Sequence, residues 1–121
     1  MSNARDIADA GHQLVAWANF DPNAGSDPAT INKDFGISAI NWQAAGKYTV
    51  HFDSGVIATG DTSYGVVATA GSTSSESAGY VRLFGDASSY SKTDSQFYIF
   101  VVNYNATAYT DFNNISFAVF A

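Results

Sequence analysis

Lys47-Tyr48-Thr49-Val50-His51-Phe52 is the stretch whose reading decides the fold. Tyr48, Val50 and Phe52 alternate with Lys47, Thr49 and His51. Such a period of two, rich in β-branched and aromatic types, predicts a half-buried strand with His51 on its polar face. Turn signals bound it, Ala44-Ala45-Gly46 before and Asp53-Ser54-Gly55 after. Upstream, Phe35-Gly36-Ile37-Ser38-Ala39-Ile40-Asn41-Trp42 is a second apolar run with polar or small residues interleaved. Together they predict a β-hairpin with strands at 35–42 and 47–53.

The same grammar runs outward from the hairpin. Leu14 to Phe20 is apolar on both faces and predicts a strand covered on two sides. Residues 21–28 combine Pro, Gly, Asn and Asp and read as a loop. Ala29-Thr30-Ile31 reads as a short strand and Asn32-Lys33-Asp34 as a turn. Ser54 to Ser63 is a connection in which Val56 and Ile57 should plug onto the core. Further strands are expected at 64–70, 78–84, 96–104 and 115–120, the third being the longest apolar run and therefore central. Loops at 71–77, 85–95 and 105–113 separate them. Residues 1–13 carry too little apolar surface to fold alone and read as a lead-in that docks on the domain at 14–121 or on a neighbouring copy. About seven or eight short strands, turn clusters between them and no helical period predict an all-β fold. The expected form is an antiparallel, jelly-roll-like β-sandwich.

Composition narrows the function. The chain has 121 residues, enough for one core without staples, and no cysteine, which excludes disulfides and thiolate metal sites. Five Lys and Arg stand against eleven Asp and Glu, a net charge of -6. Arg5, Lys33, Lys47, Arg82 and Lys92 are scattered and cannot supply the basic face that nucleic acid requires. No apolar stretch approaches the ~20 residues of a membrane span, so no membrane insertion is expected. The first residues lack the apolar core of a secretory signal. Charged residues make up 13% and aromatics 15%. That balance fits a small β-domain with outward hydroxyls, or an oligomer that hides part of its surface.

Reacting groups are sparse. His12 lies in the lead-in and His51 on the polar face of its strand, and both read as structural or solvent-facing. No catalytic residue, cofactor or metal ligand is assigned. Asp34-Phe35-Gly36 copies a kinase triplet by chance, without its companion motifs. Asp21 to Asp27 has oxygen ligands at alternate positions, as calcium loops do, but Asn32 falls where a bidentate Glu belongs, so an Asx/Pro turn is the reading. Asn105-Ala106-Thr107 and Asn114-Ile115-Ser116 are glycosylation sequons that read as turn chemistry. Tyr64, Tyr80, Tyr90, Tyr104 and Tyr109 fall at strand ends or in loops, where rigid amphipathic rings suit sugar or protein recognition. Tyr80, Tyr90, Tyr104 and Tyr109 are the candidate surface-recognition residues. Trp17, Phe20, Trp42, Phe52 and Phe117 are the candidates for the core or a subunit contact.

Four segments carry a family likeness. Ala16-Trp17-Ala18-Asn19-Phe20 resembles the A-W-V-N-F that opens a domain common in phage tail-fibre and other virion proteins, typical of cyanophages. Phe35 to Ile40 with Ala45 to Phe52 resembles that family's F-N-V-S-S-I and G-D-Y-T-V-N-F, and Tyr64-Gly65-Val66-Val67 its Y-x-V strand. Ile115 to Phe120 is similar to its closing V-x-V-A-I-F. The loop at 21–28 is longer than the family's turn, and 71–113 has no match. The resemblance implies a virion structural protein on the outer surface of the particle, a homotrimer with other virion proteins as partners. It implies no enzyme activity and no cofactor. The loops 71–77, 85–95 and 105–113 would meet a host surface glycan or protein.

Two roles fit that likeness. One is an exposed fibre or spike head that adheres to a host. The other is a small capsid decoration or knob protein, which the short chain favours because a fibre also needs a shaft. A carbohydrate-binding module is the third reading.

Overall fold

The computed structural model describes residues 13–23, 25–72, 78–83, 90–105 and 107–121. The lead-in with His12, most of the 71–77 loop and the first half of the 85–95 loop lie outside them. Eight strands form: β1 Leu14–Asp21, β2 Thr30–Phe35, β3 Ile37–Ala44, β4 Lys47–Phe52, β5 Gly65–Gly71, β6 Ala78–Leu83, β7 Gln96–Asn103 and β8 Asn114–Phe120. No α-helix occurs among the described residues.

All neighbouring pairs are antiparallel, and the order is β2-β1-β8-β5-β6-β7-β4-β3. The all-β antiparallel architecture expected from the sequence holds, as a single, nearly closed sheet whose two halves face each other. Its edges, β2 and β3, are consecutive in the chain and meet at Gly36. Gly36 has φ +75°, a conformation that favours glycine, and a Cβ there would press on the Val15 carbonyl at 2.9 Å. Ala29 N–H donates to the Ile40 carbonyl across this seam at 2.9 Å, while Asp53 N–H to the Gly36 carbonyl, also 2.9 Å, extends the β3–β4 pair to the turn.

Alternation fills the interior. Ala16, Ala18 and Phe20 of β1, Tyr48, Val50 and Phe52 of β4, Phe97, Ile99 and Val101 of β7, and Ile115, Phe117 and Val119 of β8 are all buried. Phe20, Phe52 and Phe117, candidates for the core or a subunit contact, are among these buried residues. Edge-to-face contacts link Phe20 to Tyr48 at 5.2 Å and Phe97 to Phe117 at 5.4 Å, each worth about 1 kcal/mol beyond area burial. Ile57 is buried with Val56 packed beside it, the expected plug.

Three expectations need correction. Asn32-Lys33-Asp34 is not a turn but the middle of β2, an edge strand whose exposed polar residues show no period. The turn falls instead at Gly36, so Phe35 ends β2 rather than opening β3. Tyr64 is buried, not surface-facing: its hydroxyl donates to the Thr93 carbonyl at 2.7 Å and the Gln96 carbonyl at 3.1 Å. Finally, β1 is covered on one face only. Trp17 points away from the core and is 36% exposed.

Candidate functional site

β4 puts Lys47, Thr49 and His51 on the outer face of the sheet, because Tyr48, Val50 and Phe52 take the inner one. β7 lies beside it in the register Lys47↔Phe100, Thr49↔Tyr98 and His51↔Gln96. Directly paired residues share a face, so Gln96, Tyr98 and Phe100 also look outward. β6 extends the row with Arg82↔Phe100 and Tyr80↔Val102. On this face lies a cleft of about 300 Å³ lined by Gln43, Lys47, Thr49, His51, Tyr90, Gln96 and Tyr98. A second cleft, about 190 Å³, is lined by Arg82, Val102, Thr107, Ala108 and Tyr109.

A cluster of four aromatic rings lies between the two, Tyr90, Tyr98 and Tyr109 lining them and Phe100 packed beneath. Tyr90 meets Tyr98 edge-on at 5.2 Å and Phe100 at 4.9 Å, and Phe100 meets Tyr109 at 5.7 Å. Phe100 is consequently only 4% exposed although it faces outward. The Lys47 ammonium lies 4.5 Å from the centre of Tyr109 and 5.5 Å from that of Phe100, a cation–π arrangement. Gln96 Nε2 donates to the Tyr98 hydroxyl at 2.7 Å and fixes its position.

Two buried tyrosines hold the loops that bring Tyr90 and Tyr109 to this face. Tyr64 anchors the segment after Tyr90 through its hydrogen bonds to Thr93 and Gln96. Lys92 closes the corner, donating to the Tyr64 carbonyl at 2.5 Å with its ammonium 4.7 Å from the ring centre. Tyr48 anchors the other loop through Asp111. The Asp111 carboxylate accepts from the Tyr48 hydroxyl at 2.5 Å, the Gly46 N–H at 2.8 Å and Trp42 Nε1 at 3.1 Å. Trp42 is thereby half-buried at this anchor. Gly46 sits at φ +68°, and a Cβ there would collide with the Val101 carbonyl and with Thr110 N at 2.6 Å. That glycine lets the 105–113 loop close over the hairpin. Burial, then the hydrogen bond to Asp111, pushes the Tyr48 phenol far above its ordinary range. Burial, then the charges of Asp61 and Asp94, does the same for Tyr64.

Of the four candidate tyrosines, Tyr90 and Tyr109 join the ring cluster and Tyr80 stands on the same face on β6. Tyr104 is set apart, highly exposed beyond the end of β7. Lys47, His51, Gln96 and Tyr98 belong to the site but were not picked out as functional from the sequence. The alternation on β4 held the signal for the first two, since it already put them on one outer face. Tyr98 was masked by the apolar run around it.

The remaining motifs are structural. In the 21–28 loop, Asp21 accepts from Asn23 N–H at 2.8 Å, an Asx turn, and Asp27 tethers the loop to β3 by accepting from Asn41 Nδ2 at 3.0 Å and Trp42 N–H at 3.2 Å. Asn105 Oδ1 accepts from the Thr107 hydroxyl at 2.9 Å, again within a turn. Among the described residues no His, Asp and Glu cluster could hold a metal ion.

The other outer face differs. Trp17 pairs with Phe35 of β2 and with Ala118 of β8, and Ala118 pairs with Val67 of β5. The four residues form one cross-strand row in which Phe35 is 59% and Val67 60% exposed. Next to it runs a polar row, where Asn19 Nδ2 donates to the Ser116 hydroxyl at 2.7 Å and Asn32 Nδ2 to Asn19 Oδ1 at 2.9 Å.

No protein-family profile matches the chain, and neither does any curated protein. Among solved structures it is similar to a phage tailspike, that of phiAB6, crystallised in complex with three-repeated oligosaccharides of Acinetobacter baumannii surface polysaccharide. Identity is 17% and the TM-score 0.49, over 85% of this chain and 19% of that one. The chain thus spans about a fifth of the tailspike's length.

Proposed function

We propose that this chain is a non-enzymatic phage virion protein, an exposed fibre- or spike-type head that adheres to a host-surface glycan through the outer face of β4, β7 and β6. The observation that carries this is the pair of clefts lined by Tyr90 and Tyr98 on one side and Tyr109 on the other, with Phe100 packed beneath the rings. Aromatic faces pack on the apolar faces of sugar rings, while Gln43, Thr49 and Gln96 offer hydrogen bonds to hydroxyls. The sequence resemblance to virion domains supports the same role. Glycoside hydrolysis ordinarily uses two carboxylates across the bond, and among the described residues neither cleft is lined by one. That favours adhesion over cleavage.

Assembly belongs to the opposite face. Trp17, Phe35, Ala118 and Val67 form an apolar row of the kind that marks a protein contact, and we assign it to a homotrimer or to other virion proteins. Capsid decoration would use that row as well, so adsorption separates the two roles. Labelled protein should bind host cells, and Tyr98→Ala should reduce the binding by about tenfold or more at unchanged melting temperature. Equal adsorption of the variant would sink the groove as the adhesive surface. Particle images placing the chain on the shell, with no adsorption, would replace adhesion by decoration.

A further inference from the structure

We infer that the β4–β7–β6 groove selects an acidic saccharide, with an anionic group of the sugar chain held beside Lys47. This rests on the adhesive role proposed above and names its ligand class.

The chain carries a net charge of -6 with eleven carboxylates. Yet the described residues lining the two clefts include Lys47 and His51 in the first and Arg82 in the second, and no Asp or Glu. Lys47 and Arg82 flank Phe100 in one cross-strand row. Contact with the faces of Tyr109 and Phe100 positions the Lys47 ammonium without neutralising its charge. Among the described residues it forms no ion pair with a carboxylate. A lysine that is oriented by rings and not compensated is a ready partner for a carboxylate, sulfate or phosphate.

The rest of the surface sharpens the choice. A negatively charged body repels an anionic polymer, so the Lys47 ammonium in the groove sets its point of approach. A third cleft provides an internal contrast. About 300 Å³ in volume, it lies beside the 53–61 connection, and Asp53 and Asp94 both line it. It has the groove's size and the opposite sign, and an acidic sugar would be rejected there. Lys47 and His51 are four residues apart on one strand, roughly 13 Å, and Thr49 and Tyr98 lie between. That span suits a chain of linked rings better than a single small anion.

The test uses the intact protein and a panel of purified bacterial surface polysaccharides, each in native form and after chemical reduction of its uronic carboxylates to alcohols. Binding is measured by biolayer interferometry at low and high salt. Uronate-containing polysaccharides should bind, and carboxyl reduction should cost about tenfold or more in affinity. Lys47→Gln should cause a similar loss and should make binding indifferent to carboxyl reduction. Lys33→Gln, on β2 across the molecule, should change nothing. Because reduction alters the ligand alone, that arm stands even if Lys47→Gln folds poorly. Equal affinity for native and reduced forms, or equal binding of single-stranded DNA, would overturn the selectivity. If neutral polysaccharides alone bind and Tyr98→Ala abolishes it, the adhesive role survives and acidic selectivity falls. If no polysaccharide binds, both fall.

Discussion

On the β7 side of the sheet Phe100 faces outward and is 4% exposed; on the β1 side Trp17 faces outward and is 36% exposed. Both strands belong to the same sheet, and both carry apolar residues on both faces. The difference is what lies above them. Tyr90 and Tyr109, carried by loops, roof Phe100. Over Trp17, among the described residues, the chain leaves Phe35 and Val67 as exposed as Trp17 or more so. An aromatic that the chain covers itself serves to support the rings above it. An aromatic row that it leaves open marks a place for another molecule.

The contrast can be broken by mutation, and the largest effect should come from the roofed side. Phe100→Ala removes a ring packed beneath Tyr90 and Tyr109, and should destabilise the fold by about 4 kcal/mol, read as a shift in the urea midpoint. A cost below about 1 kcal/mol would mean that the roof is loose in solution. Asp111→Ala should follow at about 3 kcal/mol, because it strands the Tyr48 hydroxyl and the Gly46 N–H without an acceptor. It should also shift the Trp42 emission, since that indole loses its partner.

Alkaline titration sharpens the role of the two anchors. Both buried phenols are raised above the ordinary value of 10.0. The unfolded chain releases these protons near that pH and the folded chain does not. Their stabilisation is therefore fully present below about pH 10 and is lost as pH rises beyond it, by up to about 1.4 kcal/mol per pH unit for each phenol. Tyr48→Phe should flatten the loss by one phenol's share. An unchanged slope in that variant would show that Tyr48 ionises freely in the fold. The smallest effect on stability should come from the open side, where Trp17→Ser should change a single copy by less than about 1 kcal/mol.

The sequence reaches the body of this arrangement unevenly. Alternation from Lys47 to Phe52 separates core from surface residue by residue, because a strand with one buried face must keep its period. β2 escapes, since an edge strand paired on one side can be polar on both faces, and Asn32-Lys33-Asp34 then looks like a turn. Tyr64 reads as a surface ring because its strand-end position is visible and its carbonyl partners at Thr93 and Gln96 are not. The groove is half legible. Tyr80, Tyr90 and Tyr109 stand out in sequence, but the convergence of Tyr90 and Tyr109 on Phe100, and Tyr80's place on the same face, depend on the β4–β7–β6 order, a pairing between strands distant in the chain. Lys47 and His51 were visible as outward residues, and nothing local says that rings collect around them.

Sedimentation equilibrium of the wild type beside Trp17→Ser, at micromolar concentration, tests the contrast most directly. The wild type should show the mass of a trimer. Trp17→Ser should move toward the single chain while each copy keeps its saccharide affinity. A wild type that stays a stable single chain would mean that the open row waits for no second copy, and the division of labour between the two faces would fail.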